Sequence, residues 1–126
     1  MNDEPSDWTL NEFFEGRPIS RQIFERILQE VETIGATEMR ISKSQIAFRR
    51  KRNVAVVWIP GRYLRDRPTV PLVLTFSFQK PDPSPRWKEV RAVSPRRFTH
   101  HLELYKASDV DTEVRNWLQA AWNAAG

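Results

Sequence analysis

The spacing of apolar residues changes period twice along the chain, and those changes mark out its elements. Ile23, Phe24, Ile27, Leu28, Val31 and Ile34 recur every three or four positions, which predicts a helix with one buried stripe. Pro18 fixes its entry, Ser20 is its expected N-cap and Gly35 its expected end. Ahead of it, Thr9-Leu10-Asn11-Glu12 has the form of a capping box. It predicts a short helix through Phe13 and Phe14 that Gly16 terminates in the left-handed conformation. From residue 38 the period falls to two. Strands are predicted over 38–42, 44–50, 54–60, 72–78, 87–93 and 98–105. The third is apolar on both faces and is expected inside the sheet. Pro81, Pro83 and Pro85 bar regular structure between the fourth and fifth. The helical period then returns in Val110, Val114, Trp117, Leu118, Ala121, Trp122 and Ala125. Ser108 is the expected cap, and Asp109, Asp111 and Glu113 suit the positive end of that helix dipole.

Strands this closely spaced favour antiparallel pairing, because a parallel crossover needs about a dozen residues. The helices fall at the two ends of the sequence. The expected fold is therefore α+β: a meandering antiparallel sheet of five to six strands, with N-terminal and C-terminal helices packed on one face. Residues 1–126 form one domain, with 1–7 as a tail. The other face is expected to show Gln45, Arg49, Thr75, Ser77, Thr99, His101 and Glu103, a polar and partly basic surface.

Composition narrows the function classes. The chain has no cysteine, which removes disulfides, thiolate zinc sites and cysteine nucleophiles, and suits a reducing compartment. Its first seven residues are acidic and polar, unlike a signal peptide, and the apolar run 54–60 is too short to span a bilayer. A cytoplasmic protein without membrane contact is expected. The net charge of +4 conceals an asymmetry. Residues 1–38 carry nine acids and three bases, 39–106 carry sixteen bases and four acids, and 107–126 carry three acids and one base. A basic middle between acidic ends fits an anionic partner, or charge complementarity inside the domain.

Candidate chemistry is sparse. His100 and His101 are adjacent on a strand, so they point to opposite faces and do not share one metal. His100 has the parity of Phe98, Leu102 and Leu104 and is expected in the core, hydrogen-bonded. His101 lies on the polar face and could titrate near neutrality. Lys43-Ser44 could meet a phosphate, but no glycine-rich loop precedes it, and a turn held by its own side chains explains Ser44 equally. Arg49-Arg50-Lys51-Arg52 and the loop bases Arg62, Arg65 and Arg67 could gather at one end of the sheet, with Tyr63 and Trp58 available to stack on bases. A solvated hairpin tip is the simpler account of the basic run. Trp87 is either a core anchor or a pocket wall. No serine elbow, dinucleotide fingerprint, metalloprotease helix or carboxylate pair appears, so enzyme activity has no support, and neither cofactor nor metal is implied.

Three stretches carry a family resemblance. Lys43-Ser44-Gln45-Ile46-Ala47-Phe48, His100-His101-Leu102-Glu103-Leu104 and the acid-capped helix Asp109 to Trp122 resemble, in this order, the bacterial domain of unknown function 5655 family. The helix with Phe24, Ile27 and Leu28 also fits, so the likeness runs through nearly the whole chain. The resemblance implies an α+β domain without an established activity. The arginine-rich stretch 61–70 and the doubled histidine depart from the family pattern. The leading expectation is a non-enzymatic binding module for an anionic partner: a nucleotide, a nucleic acid or an acidic protein surface. Its expected contacts are Lys43, Ser44, Arg49, Arg62, Tyr63, Arg65, Trp87 and His101. The alternatives are a small-molecule pocket or enzyme around His101, with Trp87, Tyr63 and Thr75 as its walls, and a self-associating domain, in the simplest case a homodimer.

Overall fold

The computed structural model describes residues 8–62 and 69–126. Thr9 caps α1 (Leu10–Phe13) with the reciprocal Glu12 contact of a capping box, and Gly16 follows at φ 71°, where a Cβ would be strained. Helix α2 (Pro18–Ile34) starts on proline, as expected, but Arg17 rather than Ser20 is its N-cap. Ser20 faces inward and donates a 2.7 Å hydrogen bond to the Pro71 carbonyl, which ties the helix to the start of a strand. Local spacing could not foresee that tertiary partner. Helix α3 (Thr112–Ala124) is capped by Asp111, not Ser108, which lies in the 3-10 turn Ala107–Asp109 before it.

Six strands follow the expected pattern, with the ends trimmed: β1 (Glu38–Ile41), β2 (Ile46–Arg49), β3 (Asn53–Trp58), β4 (Leu72–Phe78), β5 (Glu89–Ser94) and β6 (Arg97–Leu104). All pair antiparallel, in the order β1-β2-β3-β4-β6-β5, so β3 is interior as its two apolar faces predict. The order corrects the meander. Strand β6 lies between β4 and β5, and residues 79–88 cross over it to reach the edge. Trp87, expected in a strand, belongs to that crossover.

Helices α2 and α3 cover one face of the sheet. Phe24 stacks on Phe48 at 5.9 Å, and Ile46, Val57, Leu74 and Leu102 form a continuous buried row across the strands. Burying side chains of this size contributes about 1.5–3 kcal/mol each, and this dominates the stability of the domain. On the opposite face a second row runs Arg40, Ala47, Val56, Thr75, His101 and Glu89. The α+β class with helices against one face is thus the observed architecture. No helix of the described residues is long and apolar enough to cross a membrane.

Candidate functional site

The crossover explains two of the candidate residues. His100 is fully buried; its Nδ1 donates to the Phe98 carbonyl at 2.9 Å, and its Nε2 accepts the Asp82 amide at 3.0 Å. Both ring nitrogens are satisfied by a neutral imidazole, and burial lowers its pKa. Burial alone would raise the Asp82 pKa, but bonds from the Trp87 indole (2.9 Å) and the Ser84 amide (3.1 Å) outweigh it and lower the value. Trp87 is 9% exposed and packs on Trp117 at 4.1 Å between ring centres. It is a core anchor, on the other side of the sheet from His101, and walls no pocket with it.

His101 sits half-buried in the middle of the open face. Its Nδ1 is 2.8 Å from Thr75 Oγ1, which also accepts the Trp58 indole N–H at 3.3 Å. Burial lowers the His101 pKa, opposed by Glu89 and reinforced by Arg91. The face is less basic than its arginines suggest, because Arg40 pairs with Glu38 and Arg91 with Glu89, each at 3.4 Å.

The remaining candidates divide between the ends of the sheet. Lys43 and Ser44 are exposed in the β1–β2 turn. There Ser42 Oγ accepts the amides of Ser44 (3.3 Å) and Gln45 (3.2 Å), so the turn is closed from within. The backbone of Arg62 ends a 3-10 turn, Pro60–Arg62, beyond the end of β3. Arg49 lies at the opposite end of the sheet, with β3, a length of roughly 17 Å, between them. The basic run and the backbone of Arg62 are therefore not gathered together. Tyr63 and Arg65 lie outside the described residues.

The basic run has an internal task. The β2–β3 turn closes over the C-terminal end of α3, whose last carbonyls lack helical partners. The Lys51 and Arg52 amides donate to the Ala125 carbonyl (3.0 and 3.1 Å), the Arg50 guanidinium to Trp122 O (3.1 Å) and that of Arg52 to Ala124 O (3.4 Å). Positive charge at this negative helix end is favourable. Arg50 also lies 3.6 Å over the Trp122 ring, which presses on Gly35 so closely that a Cβ there would overlap it.

Beside this clamp opens a cleft of about 570 Å³. It is lined by Arg49 and Arg52 from the β2–β3 turn, by Arg96 and Arg97 from the β5–β6 turn, and by Asn53, Ser77 and Gln79 between them. Among the described residues, none that lines it is acidic and none of the four arginines forms an ion pair. Arg49 bonds Asn53 Oδ1 (3.2 Å), and Arg97 donates to Ser77 Oγ (3.3 Å), which holds two guanidiniums at the rim. The sequence points to Arg49 as a contact and to Arg52 within the basic run, but not to Arg96 and Arg97. The doublet Arg96-Arg97 was the available signal, but a meander would have put it at the other end of the sheet.

No curated protein and no solved structure matches the chain. One family model does, over residues 11–125, and it takes in both histidines, the crossover, the clamp and the cleft; the chain therefore belongs to the family described as Domain of unknown function (DUF5655).

Proposed function

We propose that this domain is a non-enzymatic binding module that engages a phosphate-bearing partner through the arginine cleft. The observation that carries the reading is the convergence of four arginines on one concave surface that, among the described residues, has no acidic side chain in its lining. Arginine donors match phosphate oxygens in pairs, and the cleft volume falls within the range of nucleotide-sized sites. A nucleotide and a nucleic-acid backbone share this chemistry, and both belong to a cysteine-free protein of the cytoplasm. An acidic protein surface is the less specific fit, since carboxylates do not demand a cleft.

The test is titration of the purified protein with nucleoside triphosphates and with fluorescent single-stranded oligonucleotides at several salt concentrations. A bond to a charged group contributes about 1.5–3 kcal/mol, so Arg96→Ala/Arg97→Ala is expected to weaken binding at least about tenfold. Oligonucleotide binding should fall steeply with salt; nucleotide binding should saturate at one equivalent. Binding indifferent to salt, to Arg49→Ala and to the double substitution overturns the reading.

One observation favours a second reading. The Trp58, Thr75 and His101 side chains form a hydrogen-bonded chain on the open face, a polar anchor for a small neutral ligand. Chemical-shift changes confined to His101 on addition of such a metabolite, unaffected by the cleft substitutions, would support it over the first.

A further inference from the structure

The two edges of the sheet differ. Strand β1 has four residues, and its Met39 and Ile41 are partly buried against the core. Strand β5 is last in the strand order, pairs among the described residues only with β6, and all six of its residues are exposed. Among the described residues four large apolar side chains are exposed, and two of them, Val90 (37%) and Val93 (57%), are on this strand. The outer edge of such a strand presents amide and carbonyl groups in the geometry of a waiting sheet partner.

We infer that the outer edge of β5 joins two copies of this chain into one continuous antiparallel sheet. The charge pattern selects a second copy as the occupant. A two-fold axis through Val90 sets Glu89 of each copy directly opposite Arg91 of the other, on the open face. These two side chains already pair within one strand at 3.4 Å, so the dimer completes a cluster of four alternating charges. On the helix side, Val90 meets Val90 of the second copy. An axis through Arg91 would instead oppose like charges, so the pattern fixes the register as well as the partner.

Sedimentation or light scattering across a dilution series tests this, with circular dichroism to confirm that each variant is folded. The wild-type chain is expected to dimerise. Glu89→Arg and Arg91→Glu each place like charges opposite one another twice per dimer, and each is expected to weaken association about tenfold. The double variant, Glu89→Arg with Arg91→Glu, restores the pairing and should recover the dimer. Val90→Lys, at an exposed position, should weaken it without unfolding the domain. A wild-type chain that stays monomeric at all concentrations overturns the inference. So does a dimer unmoved by the single substitutions, or one that the double variant fails to restore.

Discussion

The crossover and the arginine cleft use polar side chains in opposite ways. Around Asp82 every strong donor finds an acceptor inside the domain: the Trp87 indole and Ser84 amide reach its carboxylate, and its own amide reaches His100. Around the cleft three of the four guanidiniums bond only neutral oxygens, and among the described residues Arg96 forms no hydrogen bond or ion pair. Saturated polar groups in a partly buried setting hold a fold in one arrangement. Unsaturated ones on a concave surface leave the arrangement intact when removed and are free to meet a partner. The same contrast separates Arg50 from Arg96, one spent on a helix end and a tryptophan ring, the other not.

The largest expected effect of breaking this contrast is at His100. Replacing it by Ala opens a cavity in the core and strands the Asp82 amide, for a loss of about 3–5 kcal/mol in denaturant unfolding. Asp82→Ala removes the acceptor of two donors and should cost about 2–3 kcal/mol, with a blue or red shift of Trp87 fluorescence reporting the loosened crossover.

The histidines also set a pH dependence. Burial lowers the pKa of both from the ordinary value of 6.5. The unfolded chain thus takes up protons first as pH falls through 6.5, and stability present above that pH is lost toward the lower folded values. Each histidine contributes a slope of up to about 1.4 kcal/mol per pH unit. Thermal midpoints measured from pH 7 downward should fall, and His100→Gln should flatten the curve more than His101→Gln, whose ring is only half-buried.

Smaller effects follow at the surface. Arg50→Ala, which releases the Trp122 ring and one helix carbonyl, should cost about 1 kcal/mol, with fraying of the last turn of α3 in hydrogen exchange. Arg96→Ala with Arg97→Ala should change stability by no more than about 0.5 kcal/mol while carrying the largest loss of ligand binding. A cleft pair as costly to stability as Arg50 would erase the distinction between the two regions.

Much of this molecule was legible from residue spacing. The 3.6 and 2.0 periods placed three helices and six strands within a few residues, because burial of alternate or every third and fourth side chain is a local pattern. The parity of His100 with Leu102 and Leu104 likewise put it in the core, and that of His101 put it on the other face. Caps were less legible: Ser20 and Ser108 have the right chemistry, but Ser20 meets Pro71, fifty-one residues away, and Asp111 stands nearer the helix start. The candidate site is the least legible part: Lys43, Arg49, Trp87 and His101 share a suitable chemistry, yet they occupy two ends and two faces of one sheet.

The sequence by itself determined the elements, their buried faces and the concentration of positive charge in the middle of the chain. Only the tertiary structure decided where that charge converges. A hairpin from β4 to β5 and a crossover past β6 satisfy the same periodicity. The choice rests on long-range contacts: Trp87 buried against Trp117, and Asp82 locked to His100. With the crossover, β5 runs parallel to β4, and the β5–β6 turn arrives at the same end of the sheet as the β2–β3 turn. Two pairs of arginines, more than forty positions apart in sequence, then face one cleft. Spacing along a chain specifies which face of an element is buried; which elements become neighbours is set by packing energies that no local pattern contains.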